Sequence, residues 1–194
     1  TFSKELDNII KNTDFLIQTI SDVASFCKDS KYLGVLNVNT LINKVLSIAS
    51  LHIESKNIQI TTKIDPECFV KCIENELMQV LLNIINNAVD VLKSKAKDGR
   101  EIIIKTIRDD NNVQIEIEDS AGGIAKDLLD KIFDKYFTTK GDKGSGVGLF
   151  VSKQIIEEHG GSLSVYNGQK GACFVIKLPL YEFINQENII GSLK

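Results

Sequence analysis

The chain has little with which to build a metal cluster or a covalent framework. Its four cysteines, Cys27, Cys68, Cys72 and Cys173, form no C-x-x-C pair, and the two histidines, His52 and His159, complete no zinc-spaced cluster. No apolar run is long: stretches such as Val80–Ile85 are far too short to cross a bilayer. Neither sign of charge dominates. The 23 basic and 26 acidic residues leave a net charge of −3, so no nucleic-acid or membrane surface is expected as the main partner. No signal-peptide pattern is present, which with the cysteine usage predicts a reducing, cytoplasmic setting. The sequence starts mid-pattern without an initiator Met, and is expected to be a fragment whose membrane or sensor regions would lie outside it. What remains is ordinary for a soluble globular protein: 43% apolar and 25% charged in 194 residues, enough for one sizeable core plus an appendage. There is no internal repeat and no low-complexity segment.

The spacing of apolar residues predicts the elements. Leu6, Ile9, Ile10, Leu16, Ile17, Ile20, Val23, Ala24 and Cys27 recur at three- and four-residue steps, the narrow seam of a two-helix hairpin over residues 1–28. A connector with Gly34, Asn37 and Asn39 follows. Asn39 or Thr40 is expected to cap a second helix reaching about Ser55, with Leu41, Ile42, Val45, Leu46, Ile48 and Ala49 as its apolar face. Asn57–Ile64 alternates as a strand, Asp65–Pro66 turns, and Cys68–Ile73 is a second short strand. Glu74 to about Lys97 is helical, ended by Asp98–Gly99. Glu101–Arg108 and Val113–Glu118 pair as a hairpin. Ile124–Phe137 is read as mainly helical, Thr138–Val147 as a Gly-rich loop, and Gly148–His159 as a helix stopped by Gly160–Gly161. Ser162–Tyr166 and Ala172–Leu178 form a last hairpin. The simplest fold is an α/β (α+β) two-layer sandwich, a mixed sheet covered on one face by helices and preceded by the long N-terminal helix.

Three segments carry chemistry. In the helix from Glu76 to Leu92, Asn83 and Asn87 lie four apart and share one face, with Asp90 roughly in line. Leu77, Val80, Leu81, Ile84, Ile85 and Ala88 make its buried stripe. Asn is a poor helix-interior residue, so the pair needs a reason. Seen alone, buried amides bonded to the sheet would supply one. In the second segment, a strand delivers Asp119 to a turn of small residues, Ser120 to Gly123. A carboxylate there suits an exocyclic amino donor, and the glycines let backbone approach a flat ring; a plain Asp-led turn is the alternative. In the third, Gly141, Gly144, Gly146 and Gly148 precede a helix, where free N–H groups and the helix dipole face a phosphate, and Lys140 and Lys143 add charge. The spacing is neither a Walker A loop nor a Rossmann fingerprint. A flexible lid without a ligand is the alternative.

Order and spacing together are far more specific. Glu76–Asp90 looks like the N box of the GHKL (Bergerat-fold) ATP-binding superfamily, and Asp119–Gly123 like its D-x-G-x-G box. Ile132–Lys140 looks like its F box, Gly144–Leu149 like its second glycine box, and His159–Gly161 also matches. The chain resembles, over about residues 39–180, the ATP-binding catalytic domain of sensor histidine kinases. The resemblance implies domains at 1–30 (second helix of a dimerisation hairpin), 31–180 (catalytic) and 181–194 (tail), with ATP and magnesium as cofactors. By position Asp119 would accept the adenine amino group, with Ala121, Gly123 and Ile124 beside the ring. Asn83 and Asn87 would hold magnesium, next to Asp90. Lys140 would hold the outer phosphates, with Phe137, Thr138 and Thr139 at the lid base. Gly144, Ser145, Gly146, Val147, Gly148 and Leu149 would close the phosphate end. Phe133 and Phe137 would anchor the lid, although simple core packing explains them equally.

Hydrolase relatives in the superfamily place a water-activating Glu where this chain has Asn83, which cannot serve as a general base. The resemblance therefore implies a pocket that keeps ATP intact for transfer, with Asn83 and Lys140 as its catalytic residues. Ala121 replaces a family glycine, and Tyr136 stands where Phe is common. The family's acceptor, a His followed by an acidic residue, is missing. His52 is followed by Ile53, and His159 occupies a structural place before two glycines. The acceptor is expected outside the chain, with a response regulator as partner and a homodimer in the full-length protein. A serine kinase of the anti-sigma type and a non-enzymatic nucleotide-sensing module are the alternative functions, the seam helix arguing against the former.

Overall fold

The computed structural model of the protein describes residues 32–95, 99–141 and 144–183. The expected seam helix over 1–28 lies outside the described residues. In chain order the elements are β1 (Leu33–Asn37), α1 (Val38–Glu54), β2 (Gln59–Lys63), β3 (Phe69–Ile73), α2 (Glu74–Leu92), β4 (Glu101–Arg108), β5 (Asn112–Asp119), α3 (Gly148–Glu158), β6 (Ser162–Asn167) and β7 (Ala172–Pro179). Five strands form one mixed sheet in the order β2-β4-β5-β7-β6, with β2 and β4 parallel and the other neighbours antiparallel. β1 and β3 make a separate antiparallel pair. Helix α2 lies across β5, and α3 across β6 and β7, while α1 flanks α2. This is the expected mixed sheet covered by helices.

Alternation explains the layer. Along β5, Val113, Ile115 and Ile117 are buried, and their neighbours Gln114, Glu116 and Glu118 are not. In register with them, Ile102 and Ile104 of β4 and Phe174, Ile176 and Leu178 of β7 extend the same apolar face. α2 answers with Leu77, Val80, Leu81, Ile84, Ile85 and Ala88, the stripe its spacing predicts, continued by Val89 and Leu92. Each fully buried large apolar side chain contributes about 1.5–3 kcal/mol.

Five expectations need correction. The residues read as a connector at 33–37 are strand β1. Its last residue, Asn37, caps α1, so the helix starts before Asn39: the Asn37 side-chain oxygen accepts from the Thr40 amide at 3.1 Å, and its Nδ2 donates to the Pro66 carbonyl at 2.8 Å. Ile48 leaves the apolar face and is 55% exposed, because the buried stripe of α1 runs through Leu41, Ile42, Val45, Ala49 and Ile53. α2 stops at Leu92, earlier than Lys97. Arg100 ends it by donating to the carbonyls of Lys93 at 3.0 Å and Lys95 at 2.6 Å, and also to Lys56 at 2.9 Å. Finally, Ile124–Phe137 is a succession of turns rather than a helix. Its amides reach back mostly three residues, as from Leu128 to Ala125, Lys131 to Leu128 and Phe137 to Asp134. Only Ile132 is fully buried there, while Ile124, Leu128, Phe133 and Phe137 are partly buried against the core. Tyr136, at φ 70°, is left-handed and breaks any helix that reached it.

The first tail residues close onto β3. Leu180 bridges Val70, the Tyr181 amide donates to the Phe69 carbonyl at 2.8 Å, and the Phe183 ring meets Phe69 edge-on at 5.0 Å.

Two substitutions separate the buried stripe from the apparent one. Ile84→Ala, at a position with no exposure, is expected to cost about 2–5 kcal/mol in urea unfolding, and Ile48→Ala no more than about 0.5 kcal/mol.

Candidate functional site

Strand β5 ends on Asp119, which is only 4% exposed. Its Oδ1 accepts from the Ala121 amide at 2.8 Å and the Ala172 amide at 3.4 Å. Burial pushes the Asp119 carboxyl above its usual range, and these two amides only partly offset that. The loop after it is locked from outside. Asn167, at the end of β6, accepts from the Ile124 amide and donates to the Ile124 carbonyl, both at 2.8 Å. The Gly122 amide donates to the Lys170 carbonyl at 3.0 Å. Gly122 and Gly123 are left-handed, at φ 90° and 88°. A side chain at Gly171 would collide with the Asp119 carbonyl and carboxylate, so the β6–β7 turn must carry a glycine where it passes the acid. Ala121 is absent from the left-handed residues, so its methyl in place of the family glycine imposes no backbone strain. Sequence reasoning missed Asn167 and Gly171. The only signal was a turn at Asn167–Gly171, and nothing in its spacing showed that it braces the Asp119 loop.

The lid begins where Ile132 is buried and Phe133 meets Phe174 edge-on, ring centres 6.5 Å apart. Phe137, like Ile124, Val147 and Leu149, is partly buried against the core. The two ends of the lid are clasped: the Tyr136 amide donates to the Gly146 carbonyl at 2.9 Å, and a side chain on Gly146 would strike the Tyr136 backbone. Within the lid, Thr138 Oγ1 accepts from the Lys140 amide at 3.1 Å and abuts Gly144. Thr139 is exposed beside it, and Ser145 Oγ accepts from the Val147 amide at 3.4 Å. Lys143 lies outside the described residues.

Lys140 reaches across to α2. Its Nζ donates to Asn87 Oδ1 and to Asp90 Oδ2, each at 2.8 Å, while Lys93 holds the other Asp90 oxygen at 2.6 Å. Partial burial pushes the Asp90 carboxyl up, but hydrogen bonds from Lys140 and Lys93 prevail and hold it below its usual range. One turn earlier on α2, Asn83 Nδ2 donates to Ser152 Oγ at 2.9 Å, and its Oδ1 lies against Gly148. So two sets of contacts sit one turn apart on α2, Lys140 with Asn87 and Asp90, and Asn83 with Gly148 and Ser152. Asp119, Ala121, Gly123, Ile124 and Asn167 form a third. The end of α2 leads from the first two toward the third, with Lys95 Nζ beside Gly122 and its charge felt at Asp119.

An oxygen-lined cation position is present among these side chains. The ammonium on the Asn87 and Asp90 oxygens acts as a stand-in for a hard ion, and neutral or anionic oxygens suit magnesium, which takes few protein ligands. No group of three or more His, Cys, Asp or Glu side chains able to hold a metal occurs among the described residues. His159 is a structural residue. Nε2 accepts from the Ile73 amide at 3.0 Å, so Nδ1 carries the proton and donates to the Ile155 carbonyl at 2.7 Å. The ring ties the end of α3 to the start of α2. No helix among the described residues is long and apolar enough to cross a membrane.

The raised Asp119 carboxyl has a consequence for stability. The folded state binds this proton more tightly than the unfolded chain does. That stabilisation is full below the ordinary aspartate range and is lost as pH rises through the raised folded value. At neutral pH the buried charge is a standing cost. Asp119→Asn keeps an oxygen for the two amides and removes the charge, so it is expected to melt above the parent at neutral pH. The difference should shrink as thermal unfolding is repeated at pH values falling into the aspartate range.

Comparison with known proteins places this arrangement. A family model described as histidine kinase-, DNA gyrase B-, and HSP90-like ATPase matches residues 72–182. The sensor histidine kinase ZraS of Escherichia coli (strain K12) is 35% identical over 175 residues, covering 88% of this chain and 36% of that protein. The chain thus spans little more than a third of that relative. Among solved structures, the catalytic domain of histidine kinase ThkA is similar with a TM-score of 0.69 at 28% identity, over 77% of this chain and 98% of that one. ThkA in complex with the response regulator protein TrrA is similar with a TM-score of 0.75 at 25% identity, over 93% of this chain and 52% of that one. The sheet and its helical layer are those of histidine kinase catalytic domains. Matched by the family model over more than half its length, the chain belongs to the histidine kinase-, DNA gyrase B- and HSP90-like ATPase family.

Proposed function

We propose that the chain is the ATP-binding, catalytic portion of a sensor histidine kinase. It would pass the γ-phosphoryl group of ATP to a histidine outside these 194 residues, from which a response regulator receives it. The observation that carries this reading is Asn83. It stands one helical turn before Asn87, where a hydrolase needs an acid to activate water, and its amide is neutral and engaged with Ser152. A pocket without a base at that position holds ATP rather than spending it on water. The relatives named sensor histidine kinases, and the ThkA structure with a response regulator, support the same class.

The residues divide the work. Asp119 accepts the adenine amino group through the carboxylate oxygen its backbone partners leave available, with Ala121, Gly123 and Ile124 beside the ring. Its burial strengthens that bond, since few waters compete. Asn87 and Asn83 hold magnesium through amide oxygens, with Asp90 alongside. Magnesium, when bound, would neutralise phosphate oxygens and align the triphosphate for in-line transfer. Gly144, Ser145, Gly146, Val147, Gly148 and Leu149 bring the free N–H groups of α3 to the phosphates. Thr138, Thr139 and Lys140 cover them from the lid.

Lys140 must leave Asn87 to do so. Its pair with Asp90 is about one-third exposed on both sides, 34% and 36%, and such pairs contribute about 0–1 kcal/mol. The tie is therefore weak enough to exchange for a phosphate at little cost. We further propose that residues 1–30 are the second helix of a dimerisation hairpin in a homodimeric parent protein, with residues 31–180 as the catalytic domain. The same reading puts this domain in the cytoplasm, any membrane anchor being elsewhere in the parent.

Two measurements test the reading. Asp119→Asn is expected to weaken ATP binding about 10- to 100-fold in calorimetry, the loss of one hydrogen bond to a charged acceptor; unchanged affinity would remove the adenine assignment. A separate helical hairpin carrying a His followed by an acidic residue is expected to acquire label from γ-labelled ATP in the presence of this chain. Tight magnesium–ATP binding without any transfer would leave a nucleotide-sensing module instead.

A further inference from the structure

The contact between α2 and α3 at Asn83 has a feature the site roles above do not use. Gly148 and Ser152 are four residues apart on α3 and so lie on one face, one turn above the other. Both abut the same Asn83 side chain. Its Nδ2 donates to Ser152 Oγ at 2.9 Å, and its Oδ1 would lie 2.6 Å from a side-chain carbon at Gly148, which only a glycine leaves open. Ser152 is 2% exposed, so its hydroxyl is withdrawn from bulk water.

A side-chain amide can turn by half a rotation about its last bond with almost no change of shape. The turn exchanges an oxygen for an NH2 group, and only the oxygen can ligate a cation. At Asn83 the two orientations are not equivalent. With the nitrogen on Ser152, the oxygen lies at Gly148, the first residue of α3, where the positive end of the helix dipole favours it. With the amide reversed, the partly positive NH2 group would sit at that end instead.

We propose that Ser152 is a positioning residue for the nucleotide site. It holds the plane of the Asn83 amide, and the positive end of α3 then keeps the oxygen at Gly148, the orientation in which that oxygen can serve as a magnesium ligand. The proposal rests on the reading that Asn83 and Asn87 hold magnesium. Nothing about Ser152 in the sequence marks it for this: it sits after the second glycine box and reads as an ordinary residue of an amphipathic helix.

The test compares ATP affinity in excess magnesium with affinity in a chelator, for the parent, Ser152→Ala, Ser152→Thr and Asn83→Ala. The ratio of the two affinities reports the magnesium-dependent part of binding. Ser152→Ala is expected to lower this ratio about tenfold, as loss of an outer hydrogen bond to a metal ligand typically does, and to leave affinity in the chelator unchanged. Ser152→Thr, which keeps the hydroxyl, is expected to restore the ratio. In the nucleotide-free protein, the Asn83 side-chain NH2 resonances are expected to move in Ser152→Ala and return in Ser152→Thr. Ser152→Cys, similar in size and a poor acceptor, gives the same reading should the alanine variant fold badly. An unchanged ratio in Ser152→Ala alongside a lowered one in Asn83→Ala would overturn the positioning role and leave the metal reading standing. An unchanged ratio in Asn83→Ala would overturn both. Equal losses with and without magnesium would show a merely structural serine.

Discussion

The site depends on one helix being buried on one side only. α2 places Ile84, Ile85 and Ala88 against the sheet and Asn83, Asn87 and Asp90 on the other flank. Burial of the apolar stripe costs the polar side its freedom: the asparagines cannot slide or rotate without dragging several large side chains out of a close-packed interior. That rigidity lets weak individual contacts, such as Lys140 on Asn87 and Asp90, define positions. The sheet provides the second fixed point. β5 carries Asp119 to its end in register with Ile102 of β4, so the acid and the amide face of α2 are set by the same core.

Held against this frame are parts tied by much less. The Asp119 loop is braced by Asn167 and by the Gly122–Lys170 backbone bond, and the lid by the Tyr136–Gly146 clasp. A few hydrogen bonds, each worth about 0.5–1.5 kcal/mol net, hold each loop. A nucleotide pocket needs this contrast, because walls must stay while a cover exchanges partners. Asp119 shows what such a frame costs. Its charge is kept buried at the expense of stability, in return for a strong acceptor.

Much of this was legible from the residues. The alternation at β4 and β5, the α2 stripe and the glycines before α3 follow periods that backbone geometry imposes, so the mixed sheet with its helical layer could be read directly. The family motifs pointed to candidate site residues because they are local strings. What the sequence hid was contact between distant segments. Asn37 beat Asn39 as the cap because β1 pairs with β3, a fact no local window contains. Ile48 looks apolar-faced by spacing but is left more than half exposed. The stretch before the lid has helical spacing and turns instead, with only Ile132 fully buried and Tyr136 left-handed. Asn167, Gly171 and Ser152 are ordinary until their partners, far along the chain, come beside them.

On the proposed reading the pocket binds ATP and keeps it intact, because Asn83 supplies no base. Following phosphate release by this chain with magnesium and ATP, in the absence of any acceptor helix, tests it most directly. Bound ATP is expected to be recovered intact after prolonged incubation, with free phosphate remaining below one equivalent of protein. Sustained release over many turnovers would contradict it.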